Sequence, residues 1–136
     1  MRGKWYMNPH DLAILFLSKA SQDELILDKL LDDYDITDEV WGFHAQQAAE
    51  KLLKALLSFH SIRFRKTHDI AELMDILIDQ GFPLPDTLAE IHTLTPFAVE
   101  YRYDDILSEG EDALNRVGIR ELIISLRKWI ESCIRL

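Results

Sequence analysis

A chain of 136 residues, 48% of them hydrophobic, has enough apolar surface for one core and predicts a single domain over residues 1–136. With 24 acidic side chains against 15 basic ones, the net charge of −9 opposes non-specific adhesion to phosphate backbones, so any nucleic-acid contact must be local. The chain shows no charge-free run of about 18 apolar residues and no small-residue cleavage site near its start, which predicts a cytoplasmic protein with neither membrane span nor signal peptide.

Asn8-Pro9 supplies an N-cap and a proline at the first helical position, and Leu12, Leu15, Phe16, Ile26, Leu30 and Leu31 follow at helical spacing, predicting a first helix over residues 9–32. Thr37 caps a second helix, with Asp38 and Glu39 at its positive end. Trp41, Ala45, Ala48, Ala49, Leu52, Leu56 and Phe59 share one face, whose alanines permit close approach of a neighbour. Thr67 is expected to cap a short third helix, with Asp69 in its first turn and Ile70, Leu73, Met74 and Leu77 as its core stripe, closed by Gly81. A fourth helix is expected from Pro85, interrupted near Thr95-Pro96 and resumed through "FAVEYRYDDIL" to Gly110. The last helix carries Val117, Leu122, Ile123, Leu126, Ile130, Cys133 and Ile134 inward, with its arginines and Lys128 toward water. Cys133, the single cysteine, excludes a disulfide or a cysteine zinc site and reads as a small buried apolar residue. The expected fold is all-α, an up-and-down bundle of four long helices and one short helix.

Three constellations could carry chemistry. On the second helix His44, Gln47, Lys51 and Lys54 form one polar stripe suited to a phosphate or a base; alternatively the stripe is a solvated face in which Glu50 pairs with Lys54 and Gln47 meets water. His44, close to the helix start, also reads as a core or interface imidazole with one satisfied hydrogen bond. In "HSIRFRKTH", Arg63 and His68 match R-x4-H, in which an arginine steadies a phosphorane and a histidine moves the proton of a ribose 2′-hydroxyl without metal. Eight arginines and five histidines in 136 residues produce such a match about once by chance. Arg63, Arg65 and Lys66 also suit the C-terminal end of a helix, where cations are favoured. In "EYRYDD", Arg102 can bridge to a buried carboxylate while Tyr101 or Tyr103 enters the core, or the three can line a site. No histidine pair at i, i+4, no H-E-x-x-H and no glycine-rich phosphate loop occurs, so no metal and no cofactor are expected.

The segments "FHAQQAAEKLLKALL", "KTHDIAELMDIL" and "AVEYRYDD", in that order, resemble the HEPN family, the higher eukaryotes and prokaryotes nucleotide-binding domain, from the first helix to the last. The resemblance implies a bundle of four or five helices, usually a homodimer, and in prokaryotes a frequent neighbour, a minimal nucleotidyltransferase acting as antitoxin. It also implies metal-independent RNA cleavage in many members, through an R-x4-6-H motif assembled at the dimer interface late in the chain. Here Arg102 stands at that place and no histidine follows it, whereas Arg63 and His68 lie earlier, between the second and third helices.

The expected function is that of one half of a toxin-antitoxin-like pair, binding nucleotide or RNA. For cleavage, Arg102 or Arg63 would take transition-state charge, His44 or His68 would move the proton, and Gln47, Lys51, Tyr101 and Tyr103 would position nucleotide or phosphate. The alternative is a non-catalytic dimeric adaptor that binds nucleotide or the nucleotidyltransferase. A third reading makes Tyr101 or Tyr103 an acceptor modified by that partner.

Overall fold

A computed structural model of the chain describes residues 7–98 and 113–134. Every regular element among the described residues is helical: α1 (Pro9–Lys29), α2 (Asp38–Phe59), α3 (Ile70–Asp79), a 3-10 helix (Asp86–Phe97) and α4 (Arg116–Cys133). The first two begin as local chemistry dictates. The Asn8 side chain accepts the amide of Asp11 with Pro9 in the first turn, and Thr37 Oγ1 accepts the amide of Val40.

Helix α2 is the axis of the molecule and touches every other element. Trp41, Ala45, Ala48, Ala49, Leu52, Leu53, Leu56 and Leu57 are fully buried along it. Burying a side chain of Leu size contributes roughly 1.5–3 kcal/mol, so this helix carries much of the core. Helix α1 runs antiparallel to it: Trp41 Nε1 donates to the Leu27 carbonyl at 3.1 Å, and at the other end the rings of His10 and Phe59 stack with centroids 4.1 Å apart. Phe97 lies so close over Gly42 that a Cβ there would sit 2.5 Å from the ring, which explains a glycine inside a core helix.

Four expectations are corrected. Helix α1 stops at Lys29, not residue 32, because the carbonyls of Leu30 and Asp33 are taken by the guanidinium of Arg116 at 2.9 and 3.2 Å. Asp69, not Thr67, caps α3; Thr67 Oγ1 accepts the amide of Asp69 at 3.0 Å and so holds the turn before the cap. The segment after Pro85 winds as a 3-10 helix, burying Leu88, Ile91 and Leu94 at every third residue, the period of that helix. Its resumption through "EYRYDDIL" and its end at Gly110 lie outside the described residues. On α4 the arginines do not face water: Arg116 is 2% exposed, and Arg120 and Arg127 both bind the buried Glu24 of α1, while Val117 is exposed. Lys128 is exposed as expected, and Cys133 is half-buried against the core.

Helices α2 and α3 end alike. The amide of Ile62 reaches back to the Leu57 carbonyl and that of Ser61 to Ser58; those of Phe82 and Gly81 reach to Leu77 and Ile78 in the same way. Both motifs need a left-handed residue, supplied by Gly81 at φ 93° but by Ser61 at φ 57°. A Cβ in that region costs about 1–2 kcal/mol, and the extra freedom of an unfolded glycine returns part of it. Ser61→Gly is therefore expected to stabilise the fold by about 0.5–1 kcal/mol. A urea midpoint that does not rise would contradict this account of the turn.

Candidate functional site

Two buried carboxylates organise the polar edge of α2. Asp23 sits on the inward side of α1, between Ala20 and Leu27, and is 6% exposed. Its Oδ1 lies 3.0 Å from His44 Nδ1 and its Oδ2 2.7 Å from Lys51 Nζ. His44 and Lys51 are seven residues apart on α2, two turns of one stripe, so a single acid from the neighbouring helix engages both. A carboxylate only accepts, so Nδ1 of His44 donates to Asp23 and Nε2 is the ring nitrogen left for another partner. That Nε2 has no partner among the described residues.

The second carboxylate, Glu50, belongs to α2 itself and is 4% exposed. It accepts from Lys54 Nζ at 2.7 Å, Gln46 Nε2 at 2.8 Å and His68 Nδ1 at 2.8 Å. Gln46 also bonds the backbone of His68 at 3.3 Å, and its Oε1 accepts from Gln47 Nε2 at 2.7 Å. Burial alone would push the Glu50 carboxyl upward; the hydrogen bonds from Lys54, His68 and Gln46 outweigh it and hold the group below its ordinary value of 4.5. A depressed carboxyl contributes stability that is full above its unfolded value and disappears as pH falls through the folded one. The domain is therefore expected to lose stability on acidification below about 4.5. Glu50→Gln should be less stable at neutral pH and flatter across that range in thermal melts; equal slopes for both proteins would contradict the assignment.

The structure thus divides the residues singled out from sequence. It brings His44 and Lys51 together on Asp23, with Gln47 joined through Gln46 to the Glu50 cluster, where His68 is held. The reading of this stripe as a solvated face is corrected, because Glu50 and Lys54 do pair but are buried, and Gln47 bonds Gln46. Arg63 stands apart: its side chain is exposed and has no hydrogen-bond or ion-pair partner among the described residues. Its neighbour Arg65 is clamped by both oxygens of Glu72 at 2.7 and 2.8 Å. Tyr101, Arg102 and Tyr103 lie outside the described residues. Asp23 escaped the reading of the sequence. Its signal was an acid three residues after Ala20 and four before Leu27, on the buried side of a helix.

A cavity of about 590 Å³ at the turn between α1 and α2 is lined by Asp28, Lys29, Asp32, Asp33, Tyr34 and Asp35. Four acids against one lysine give it the wrong sign for a phosphate. Among the described residues no group of three or more His, Cys, Asp or Glu side chains is placed to hold a metal ion, and no helix is long and apolar enough to cross a membrane.

The class is that of a helical bundle, whose central helix carries His44, Lys51 and Lys54 along one edge, each held by a carboxylate. The HEPN domain family model matches residues 15–129, most of the chain. The protein belongs to the HEPN family. Comparison with curated proteins and with solved structures gives no match.

Proposed function

We propose that this HEPN domain binds the phosphate of a nucleotide or RNA at the edge of α2 marked by His44, Gln47 and Lys51. In this reading it acts as a homodimer, in a toxin-antitoxin-like pair with a minimal nucleotidyltransferase. The observation that carries the reading is the grip of Asp23 on both His44 and Lys51. Lys51 Nζ is fixed by Asp23 at 2.7 Å through one of its three N–H donors, which leaves the others for a phosphate oxygen. A neutral His44 offers an oriented Nε2 as general base. That is the arrangement metal-free RNA cleavage needs. Nε2 takes the proton of the 2′-hydroxyl, the 2′-oxygen attacks phosphorus, and the 5′-oxygen leaves with a proton from an acid, giving a 2′,3′-cyclic phosphate. Arg102 would take phosphorane charge by family resemblance; Arg63 follows the far end of α2, roughly 20 Å along the helix from His44, so it could reach this phosphate only from a second copy.

The adaptor reading is favoured by one feature: the Lys51 and Lys54 ammonium groups are already occupied by carboxylates, in a chain of net charge −9. Expression of wild type beside His44→Ala, Arg63→Ala and Arg102→Ala separates the two. Growth inhibition and RNA cleavage lost in His44→Ala, with folding, dimer and partner binding intact, support chemistry. Uncut RNA with wild-type protein, together with partner binding lost in the same variants, supports the adaptor.

A further inference from the structure

Helix α1 buries one side against α2, and the other described elements leave a second side largely uncovered. On that side Ile14 is 63% and Leu25 48% exposed, and Ser18 and Ser21 between them are exposed as well. These four follow each other at steps of four, three and four residues, which places them on one narrow seam of the helix. The steps read the same in both directions. Large apolar residues sit at the two ends and small hydroxyls at the centre.

A seam with that symmetry is complementary to its own reverse. Two copies related by a two-fold axis that passes between their α1 helices, at the level between residues 19 and 20, bring Ile14 of one against Leu25 of the other, twice, and Ser18 against Ser21, twice. The serines let the backbones approach at the axis while the branched side chains fill the flanks. The Ser21 hydroxyl already donates to the Leu17 carbonyl at 3.1 Å and accepts from Arg127 at 2.9 Å, so covering it strands no hydrogen-bonding group. Charge agrees with the same register. Asp11 and Lys29, both exposed, lie on the same flank of the seam, and antiparallel pairing sets like flank against like flank, placing Asp11 within one residue of the level of the second copy's Lys29.

We infer that the uncovered side of α1 is an isologous interface, occupied by α1 of a second copy in antiparallel register. The inference rests on the homodimer of the proposed function and names its surface; it is read by mass rather than by activity on RNA, so its failure and that of the RNA reading are distinguishable.

The test is a charge swap on the full chain. Ile14→Lys and Leu25→Glu each place an unpaired charge in the seam, at exposed positions where the monomer fold is not engaged. Sedimentation velocity over a concentration series is expected to show wild type as a dimer and each single variant as a monomer, with unchanged circular dichroism melts. The double variant sets the introduced ammonium of one copy against the introduced carboxylate of the other, and should associate at least about tenfold more tightly than either single variant. A wild type that stays monomeric overturns the inference and leaves the seam to another protein. Single variants that remain dimeric place the dimer elsewhere, and a double variant no better than the singles overturns the antiparallel register.

Discussion

Replacing Arg116 by methionine is expected to cost about 3–5 kcal/mol of stability, the range found when one partner of a buried charged network is removed. The arginine closes the whole α1–α2 connection. Its Nε donates to Asp38 Oδ1 at 3.0 Å, one terminal nitrogen to the carbonyls of Leu30 and Asp33, and the other to the carbonyl of Ile36 at 2.8 Å. The ring of Tyr34 lies over the guanidinium at 4.4 Å and that of Trp41 at 5.6 Å. Three backbone carbonyls and a carboxylate therefore lose the guanidinium together; Leu30 and Asp33 keep one amide donor each and Asp38 keeps the amide of Leu114, while the Ile36 carbonyl is left without its donor. Lysine does not replace the guanidinium, because one ammonium cannot span four acceptors spread around a planar fork. Against a total of about 5–15 kcal/mol the loss is large, and it should lower the melting temperature by roughly 10–20 °C for Arg116→Met. A loss below about 1 kcal/mol would show that the loop holds its shape without the arginine.

His44→Ala is expected to lower RNA cleavage by about 10²–10⁴-fold, the usual contribution of a positioned general base. The size of the effect distinguishes chemistry from packing. His44 makes one hydrogen bond, to Asp23, and an edge contact with Phe43, so its removal leaves the apolar core untouched. Lys51→Ala should act on binding instead, weakening RNA affinity evenly across sequences and reducing the slope of log affinity against log salt by about one. Equal effects of both substitutions on affinity, with the cleavage step unchanged, would count against His44 as the base.

What the sequence disclosed follows the range of the physics involved. Caps at Asn8 and Thr37 depend on three or four adjacent residues and were legible at once. The alternation of an apolar and a polar side on α2 was legible for the same reason, and it located His44, Gln47 and Lys51 correctly on one edge. The acids that organise this edge were harder to read. Asp23 comes from another helix and sits where the pattern asks for an apolar residue, so only the packing of α1 on α2 reveals its two partners. The arginines of α4 were misplaced because charge predicts solvent, whereas Glu24, itself buried, draws Arg120 and Arg127 across the helix boundary. The 3-10 helix carried a readable sign, Leu88, Ile91 and Leu94 at an even spacing of three, which an α-helical period of 3.6 does not explain. The R-x4-H match was the least informative motif, for His68 is engaged by Glu50 while Arg63 stands exposed.

The central claim is that the edge of α2 held by Asp23 receives a phosphate. Titrating the isotope-labelled protein with a short single-stranded RNA, and following the imidazole and backbone resonances by NMR, tests it most directly. Saturable shifts concentrated at His44, Gln47 and Lys51, abolished in Lys51→Ala, are the expected result. Shifts confined to Arg63 and Lys66 with His44 and Lys51 unmoved, or none that saturate, would contradict it.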